Sequence, residues 1–193
     1  MRREEELYNA AFDKYSNPTV RRIALSAART EAAGYCEWTR VEEVMEFSRG
    51  AGFQRLGIAF CVGLRREAAM CQALFEANGF EVRSVACKTG RRDKSEWGLK
   101  DDEKIHKGGF EAACNPVAQA LLLNKAGTDL NVLIGLCVGH DTLVMRFSEA
   151  PVTVLIAKDR VLAHNPAGAL YCHHSYFGKK LLSHGAGGGD GHE

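Results

Sequence analysis

Apolar positions in the first quarter of the chain recur at helical spacing on a charged background. Leu7, Ala10, Ala11 and Phe12 form one set, and Val20, Ile23, Ala24, Ala27 and Ala28 form another. Asn17 and Pro18 separate them, and an Asn that caps followed by a Pro in the first turn predicts a second helix over about 17–33. Thr39 opens a third, TRVEEVMEFSRGAG, with Glu42 three residues on as a capping box and Gly50 or Gly52 as the stop. Residues 1–52 are therefore expected to be helical.

Beyond residue 52 the period changes. RLGIAF (55–60), EVRSVA (81–86), LNVLIGL (130–136) and VTVLIA (152–157) are short apolar or alternating runs bounded by turn residues, which predicts strands. Amphipathic segments lie between them: LRREAAMCQALFEANG from Leu64, NPVAQALLLNKAG from Asn115 and DTLVMRFSEA from Asp141. Strands alternating with helices imply crossover units, hence an α/β fold of three layers with a mostly parallel sheet of four to five strands behind an N-terminal helical segment. Residues 1–182 are read as a single domain and the Gly-rich 183–193 as a flexible tail. The polar stretch 88–109, longer than ordinary connections, is read as a lid over a ligand or a solvated loop.

Composition narrows the function without naming it. Of 193 residues, 46% are hydrophobic and 25% charged, as in ordinary globular domains. The 25 Lys and Arg against 24 Asp and Glu leave a net charge of +1, so no global field favours nucleic acid, which is not expected as a partner. No apolar run reaches the length of a membrane span, and the opening MRREEELYNAAFDKY is charged where a secretory signal would be apolar, so a cytoplasmic location is expected. In a reducing compartment the seven cysteines are read as metal ligands, catalytic thiols or packing before disulfides.

Two of those cysteines sit in an internal echo: GIAFCVGL at 57–64 and IGLCVGHD at 134–141 both read strand, Cys-Val-Gly, helix. Cys61 and Cys137 thus fall at the carboxyl ends of strands, as does Cys87, and that edge is where open parallel sheets bind ligands. Cys114 joins them if the helix opened by Asn115 and Pro116 starts on the same edge. Four converging thiols suit zinc, copper(I) or an iron–sulfur cluster, and the absence of paired CxxC knuckles weighs against structural zinc. The competing reading is that reduced cysteines simply pack, as Cys71 does on a helix face with Ala68 and Phe75, and as is expected for Cys36 and Cys172.

Other groups belong to the same edge. Gly63 and Gly139 let the backbone turn close to a bound cofactor, and Asp141 either faces that cofactor or caps the helix it opens. His140 and Lys88 are candidate catalytic groups for moving protons or holding an anion, so a small anionic molecule is a possible partner. Arg91, Arg92, Lys94 and the Lys158-Asp159-Arg160 run reinforce the positive character, unless they are only solvated charges. Asn165 reads as the cap of a short helix after His164.

Taken together, IAFCVGL, ACKTG, CNPVAQA, LCVGHD and APVTVLIAKDRVLAHNP resemble a family of uncharacterised bacterial and archaeal presumed metal-binding proteins with a domain of unknown function. The likeness spans about residues 20–180, and CNPVAQA and GLCVGHD are its most specific pieces. It implies metal binding through Cys61, Cys87, Cys114 and Cys137 without an established reaction. Members with a cysteine-rich CxxC segment at the N-terminus differ from this chain, which has MRREEELYNAAFDKY there, so the strand-end thiols are the one candidate site.

The expectation is a metal-binding protein whose cysteines hold an iron–sulfur cluster, with zinc as the alternative cofactor, for redox or sulfur chemistry on a small molecule. Two other readings stand beside it. One is a non-enzymatic zinc or redox sensor. The other is a thiol enzyme with Cys137 as nucleophile and His140 beside it. Sequence leaves the oligomeric state open.

Overall fold

The computed structural model describes residues 2–182, and the 183–193 segment read as a tail lies outside the described residues. Three helices come first, α1 (Arg2–Asp13), α2 (Pro18–Gly34) and α3 (Arg40–Gly50). Their caps are those the sequence predicts. The Asn17 side chain accepts from Thr19 N and Val20 N with Pro18 at the first helical position, and Thr39 and Glu42 form a complete capping box.

The sheet follows, with β1 (Arg55–Phe60), β2 (Glu81–Ala86), β3 (Leu130–Ile134) and β4 (Val152–Ile156) in spatial order β2-β1-β3-β4, every pair parallel. The helices α4 (Arg65–Ala77), α5 (Pro116–Lys125) and α6 (His140–Phe147) make the crossovers. The chain runs from β1 to β2 in one direction across the sheet, then back over β1 to β3 and on to β4. Right-handed crossovers in opposite directions put α4 on one face and α5 and α6 on the other. The fold is a three-layer α/β sandwich. Its direction reverses between β1 and β3, which is the place where such sheets open a ligand crevice at the strands' carboxyl ends.

Burial explains which strands are central. All of β3 and most of β1 are buried, including Leu56, Ile58, Ala59, Val132, Leu133 and Ile134, whereas in the edge strand β2 only Val82 is buried. Phe75 of α4, Leu123 of α5 and Val144 of α6 complete the core from either side. Cys71 is buried within α4 beside Ala68 and Phe75, as its position on the helix predicts, and burial pushes its thiol up to about 12. Two short helices, α7 (Ala167–Tyr171) and α8 (Gly178–Leu182), end the described chain.

Three local expectations are corrected. β3 ends at Ile134 rather than continuing to residue 136, because Gly135, whose N–H still donates to Ile156 O (2.8 Å), takes a left-handed φ of 60° that turns the chain out of the extended conformation. Asp141 is not the cap of α6. That position is Gly139, at φ 85°, and the Asp141 carboxylate instead accepts from the next backbone N–H, that of Thr142, inside the first turn. The cap of α7 is Pro166 and not Asn165, whose side chain plays no part in capping.

The candidate metal centre

The parallel register determines how the strand-end cysteines meet. Phe60 pairs with Ala86, so Cys61 and Cys87, each one residue beyond its strand, fall at equivalent places on neighbouring strands. The ladder continues past both, since Cys87 N donates to Phe60 O (2.8 Å) and Cys61 N to Ile134 O (3.1 Å). The Cys61 thiol meets the Cys87 sulfur, and Val62 N–H donates to that same sulfur at 3.3 Å.

Cys114 reaches this pair by a different route. After Cys87 the chain leaves through the polar segment and returns along its own stem. Lys94 N donates to Glu111 O (3.0 Å), Ala113 N to Arg92 O (2.8 Å) and Asn115 N to Cys87 O (2.6 Å). The segment is a closed loop whose neck carries Cys87 on one strand and Cys114 on the other, with their sulfurs 3.7 Å apart. Its interior is tied together by Asp93, whose carboxylate accepts from Ser95 N and Glu111 N and pairs with Lys104 at 3.2 Å. A second pair, Lys94 with the buried Glu111 at 2.7 Å, sits beside it. Short 3-10 turns at Lys94–Trp97 and Asp101–Glu103 fill the remainder.

Directly beyond Cys114, Asn115 caps α5 by accepting from Ala118 N (3.0 Å), and Pro116 opens the helix. One turn in, the fully buried Gln119 donates through Nε2 to Phe60 O (3.2 Å) and Val85 O (2.7 Å). This amide ties the ends of β1 and β2 to α5, directly behind the three cysteines. Its Oε1 is buried with no hydrogen-bond partner among the described residues. Sequence reading placed Gln119 only within a helix. The available signal was a single amide in the otherwise apolar run PVAQALLL.

Cys137 occupies a different position. Phe60 pairs with Ile134, so the strand position level with Cys61 is Gly135, and Cys137 lies two residues further out. Its sulfur accepts from Arg160 Nη2 at 3.0 Å, and its carbonyl receives His140 N (2.9 Å) and Asp141 N (3.2 Å) at the start of α6. His140 thus follows Cys137 in the chain and contacts it through the backbone, while the partner of the sulfur is a guanidinium. Gly63 and Gly139 also differ. Gly63 lies in a 3-10 turn at Val62–Leu64, close to Lys158 Nζ and the Cys61 sulfur, whereas Gly139 sits in open space. Lys88 is exposed beside the loop neck, and its charge acts on Cys114.

The thiol chain is electrostatically graded. Hydrogen bonding with Cys87 lowers Cys114 to about 7, with the Lys88 charge assisting and burial opposing. Cys87 is raised, chiefly because its proton is held against Cys114. Cys61, hydrogen-bonded to Cys87 and buried, is pushed up to about 12 even though Lys158 works the other way. Cys114 is therefore the first of the three to carry charge.

These donors suit a thiophilic metal by kind: three thiols in succession, a fourth nearby, and cations at hand to offset thiolate charge. Among the described residues no group of three or more His, Cys, Asp and Glu side chains is placed to hold a metal ion. Cys36, exposed at φ 58°, and Cys172, at the end of α7, belong to other parts of the fold.

Comparison with known proteins agrees with the resemblance at the level of family. Residues 1–155 match the model of a family described as a protein of unknown function, DUF1847. An uncharacterized protein of the archaeon Methanocaldococcus jannaschii is 44% identical over 179 residues, covering 93% of this chain and 90% of its own length.

Proposed function

We propose that this chain, which belongs to the DUF1847 family, is a metal-binding protein whose centre is built on Cys61, Cys87 and Cys114, with Cys137 as the exchangeable fourth ligand. The observation that carries this reading is the 3.7 Å separation of the Cys87 and Cys114 sulfurs on the two sides of one loop neck. A tetrahedral ion with metal–sulfur bonds of about 2.3 Å spaces its thiolates by about 3.8 Å. A single zinc-like ion therefore fits this spacing better than a cubane, which places each cysteine on a different iron and spreads the sulfurs further apart. Such an ion supplies Lewis acidity and holds the thiols deprotonated. The residues of the chain do the rest. Lys158 and Arg160 offset thiolate charge, and Lys88 with Arg160 offers a small anion a place on the same edge.

An iron–sulfur cluster is the second reading, for redox or sulfur chemistry on a small molecule. It is favoured by the cations at Cys61 and Cys137, since charge and hydrogen bonds at the sulfurs are what stabilise a reduced cluster. Anaerobic purification followed by metal and acid-labile sulfide analysis separates the two. About one divalent ion per chain without labile sulfide supports the single-ion site. Stoichiometric iron and sulfide support the cluster, and a protein that takes up neither, even after reconstitution, refutes both.

A further inference from the structure

The loop neck has a second chemical capacity. Cys87 is 1% exposed and Cys61 8%, whereas Cys114 is only partly buried and so is the most accessible of the three. Behind Cys114 the Cys87 sulfur waits at 3.7 Å. The backbone bond from Asn115 N to Cys87 O, at 2.6 Å, holds the two chain segments together without help from either thiol. Disulfides need neighbouring backbones with their sulfurs close together, and this neck provides both. The arrangement is that of an accessible attacking thiol with a shielded resolving thiol behind it.

We infer that Cys114 and Cys87 form a dithiol that exchanges with low-molecular-weight disulfides, and that the disulfide they form excludes metal from the centre. The second half of this statement rests on the metal-centre reading, and the first does not. In the reaction, Cys114 releases its proton to solvent and its sulfur attacks one sulfur of the small disulfide. The small S–S bond breaks, one small thiolate leaves, and a mixed disulfide remains on Cys114. The Cys87 thiol then loses its proton and attacks the Cys114 sulfur, expelling the second small thiolate as the Cys87–Cys114 bond closes. The protein gives up two electrons and two protons, and the small disulfide takes them up to become two thiols. Once the bond has formed, both sulfurs have lost the thiolate character that a metal requires. Cys61 and Cys137 are then too few to retain an ion.

The test uses the full chain, reduced and stripped of metal, incubated with oxidised glutathione and examined by intact mass and peptide mapping. The wild-type protein should lose two hydrogen masses, with Cys87 linked to Cys114. Cys87→Ser should instead retain one glutathione on Cys114, and Cys114→Ser should form no link at Cys87. A wild-type protein that keeps glutathione on Cys114 without closing the internal bond, or that links Cys61 to Cys87, overturns the inference. The same incubation after loading with zinc(II) separates the two claims. Protection of both thiols supports mutual exclusion. Unchanged oxidation of a protein carrying no zinc leaves the dithiol standing and removes the metal reading. Oxidation with zinc still bound in stoichiometric amount overturns the exclusion.

Discussion

The two Cys-Val-Gly turns share a local sequence and a place in the sheet, each following a central strand and leading into a crossover helix. In three dimensions they are not equivalent. At the end of β1 the cysteine continues the ladder, is buried, and faces the neighbouring strand's cysteine. At the end of β3 a left-handed glycine intervenes, so the cysteine is displaced outward by two residues and meets an arginine. Gly135 can take that conformation only because it has no side chain: a Cβ there would lie 2.6 Å from Leu64 Cδ2, in the turn that follows Cys61. The first copy of the motif therefore packs into the space left by the second. Short repeated motifs fix which edge of a sheet a side chain reaches, while the pairing register fixes what it finds there.

The largest effect expected from this asymmetry is on metal content. Cys61→Ser and Cys87→Ser should abolish stoichiometric binding, while Cys137→Ser should retain the ion with an affinity at least tenfold weaker. Metal analysis after equilibrium dialysis against a chelator checks this, and equal losses in all three would mean that the two turns contribute alike.

The glycines sharpen the same comparison through stability. Gly135→Val meets both the Leu64 side chain and an unfavourable φ and should cost about 1–3 kcal/mol, read from urea midpoints. Gly139→Ala, strained but in open space, should cost about 1 kcal/mol. Gly63→Ala, whose new methyl meets Lys158 and Cys61 at ordinary contact distances, should remain within about 0.5 kcal/mol. A Gly63 variant as damaging as the Gly135 variant would undermine the register argument.

Thiol reactivity grades the trio itself. In metal-free protein, alkylation at Cys114 should rise through a midpoint near pH 7 as its thiolate forms, while Cys61, held protonated to about 12, should stay unmodified through neutral pH. Cys87→Ala should shift the Cys114 midpoint upward, because the hydrogen bond that favours its thiolate is gone.

The smallest effect should come from the loop. Hydrogen bonds from Ser95 and Glu111, with the Lys104 ammonium beside it, hold the Asp93 carboxyl well below the usual carboxylate range. A group depressed on folding contributes stability above its unfolded value of about 3.9 and loses that contribution as pH falls towards its folded value. Amide exchange within 88–112 should therefore accelerate below about pH 4 before the sheet responds, and Lys104→Ala should start the acceleration at higher pH. Simultaneous loss of loop and sheet protection would show that the loop has no stability of its own.

Much of this was legible in the sequence. β1 and β2 are bounded by turn residues and read to the residue, and the capping box at Thr39 and Glu42 fixed the start of α3. The neighbouring places of Cys61 and Cys87 followed from their strand ends, and that of Cys114 from the helix start at Asn115 and Pro116. What escaped was whatever depends on pairing between distant backbones. The outward displacement of Cys137 comes from the φ of Gly135, which an apolar run such as LNVLIGL conceals. The closed neck of the 88–112 loop is made by main-chain bonds that any side chains would permit, so its polar composition read only as a lid or a solvated loop. Asp141 resembled a cap because Gly139 ahead of it shows no capping side chain.

Gln119 has a consequence for the order of events. By anchoring Phe60 O at the end of β1 and Val85 O near the end of β2 to α5, the helix that follows Cys114, it makes the gathering of three thiols part of folding the core. The entropy lost in bringing them together is then spent before any ion arrives. In small zinc modules, by contrast, the metal gathers its own ligands and the chain is unfolded without it. For the proposed centre, chelation should therefore remove the ion and leave the sheet standing.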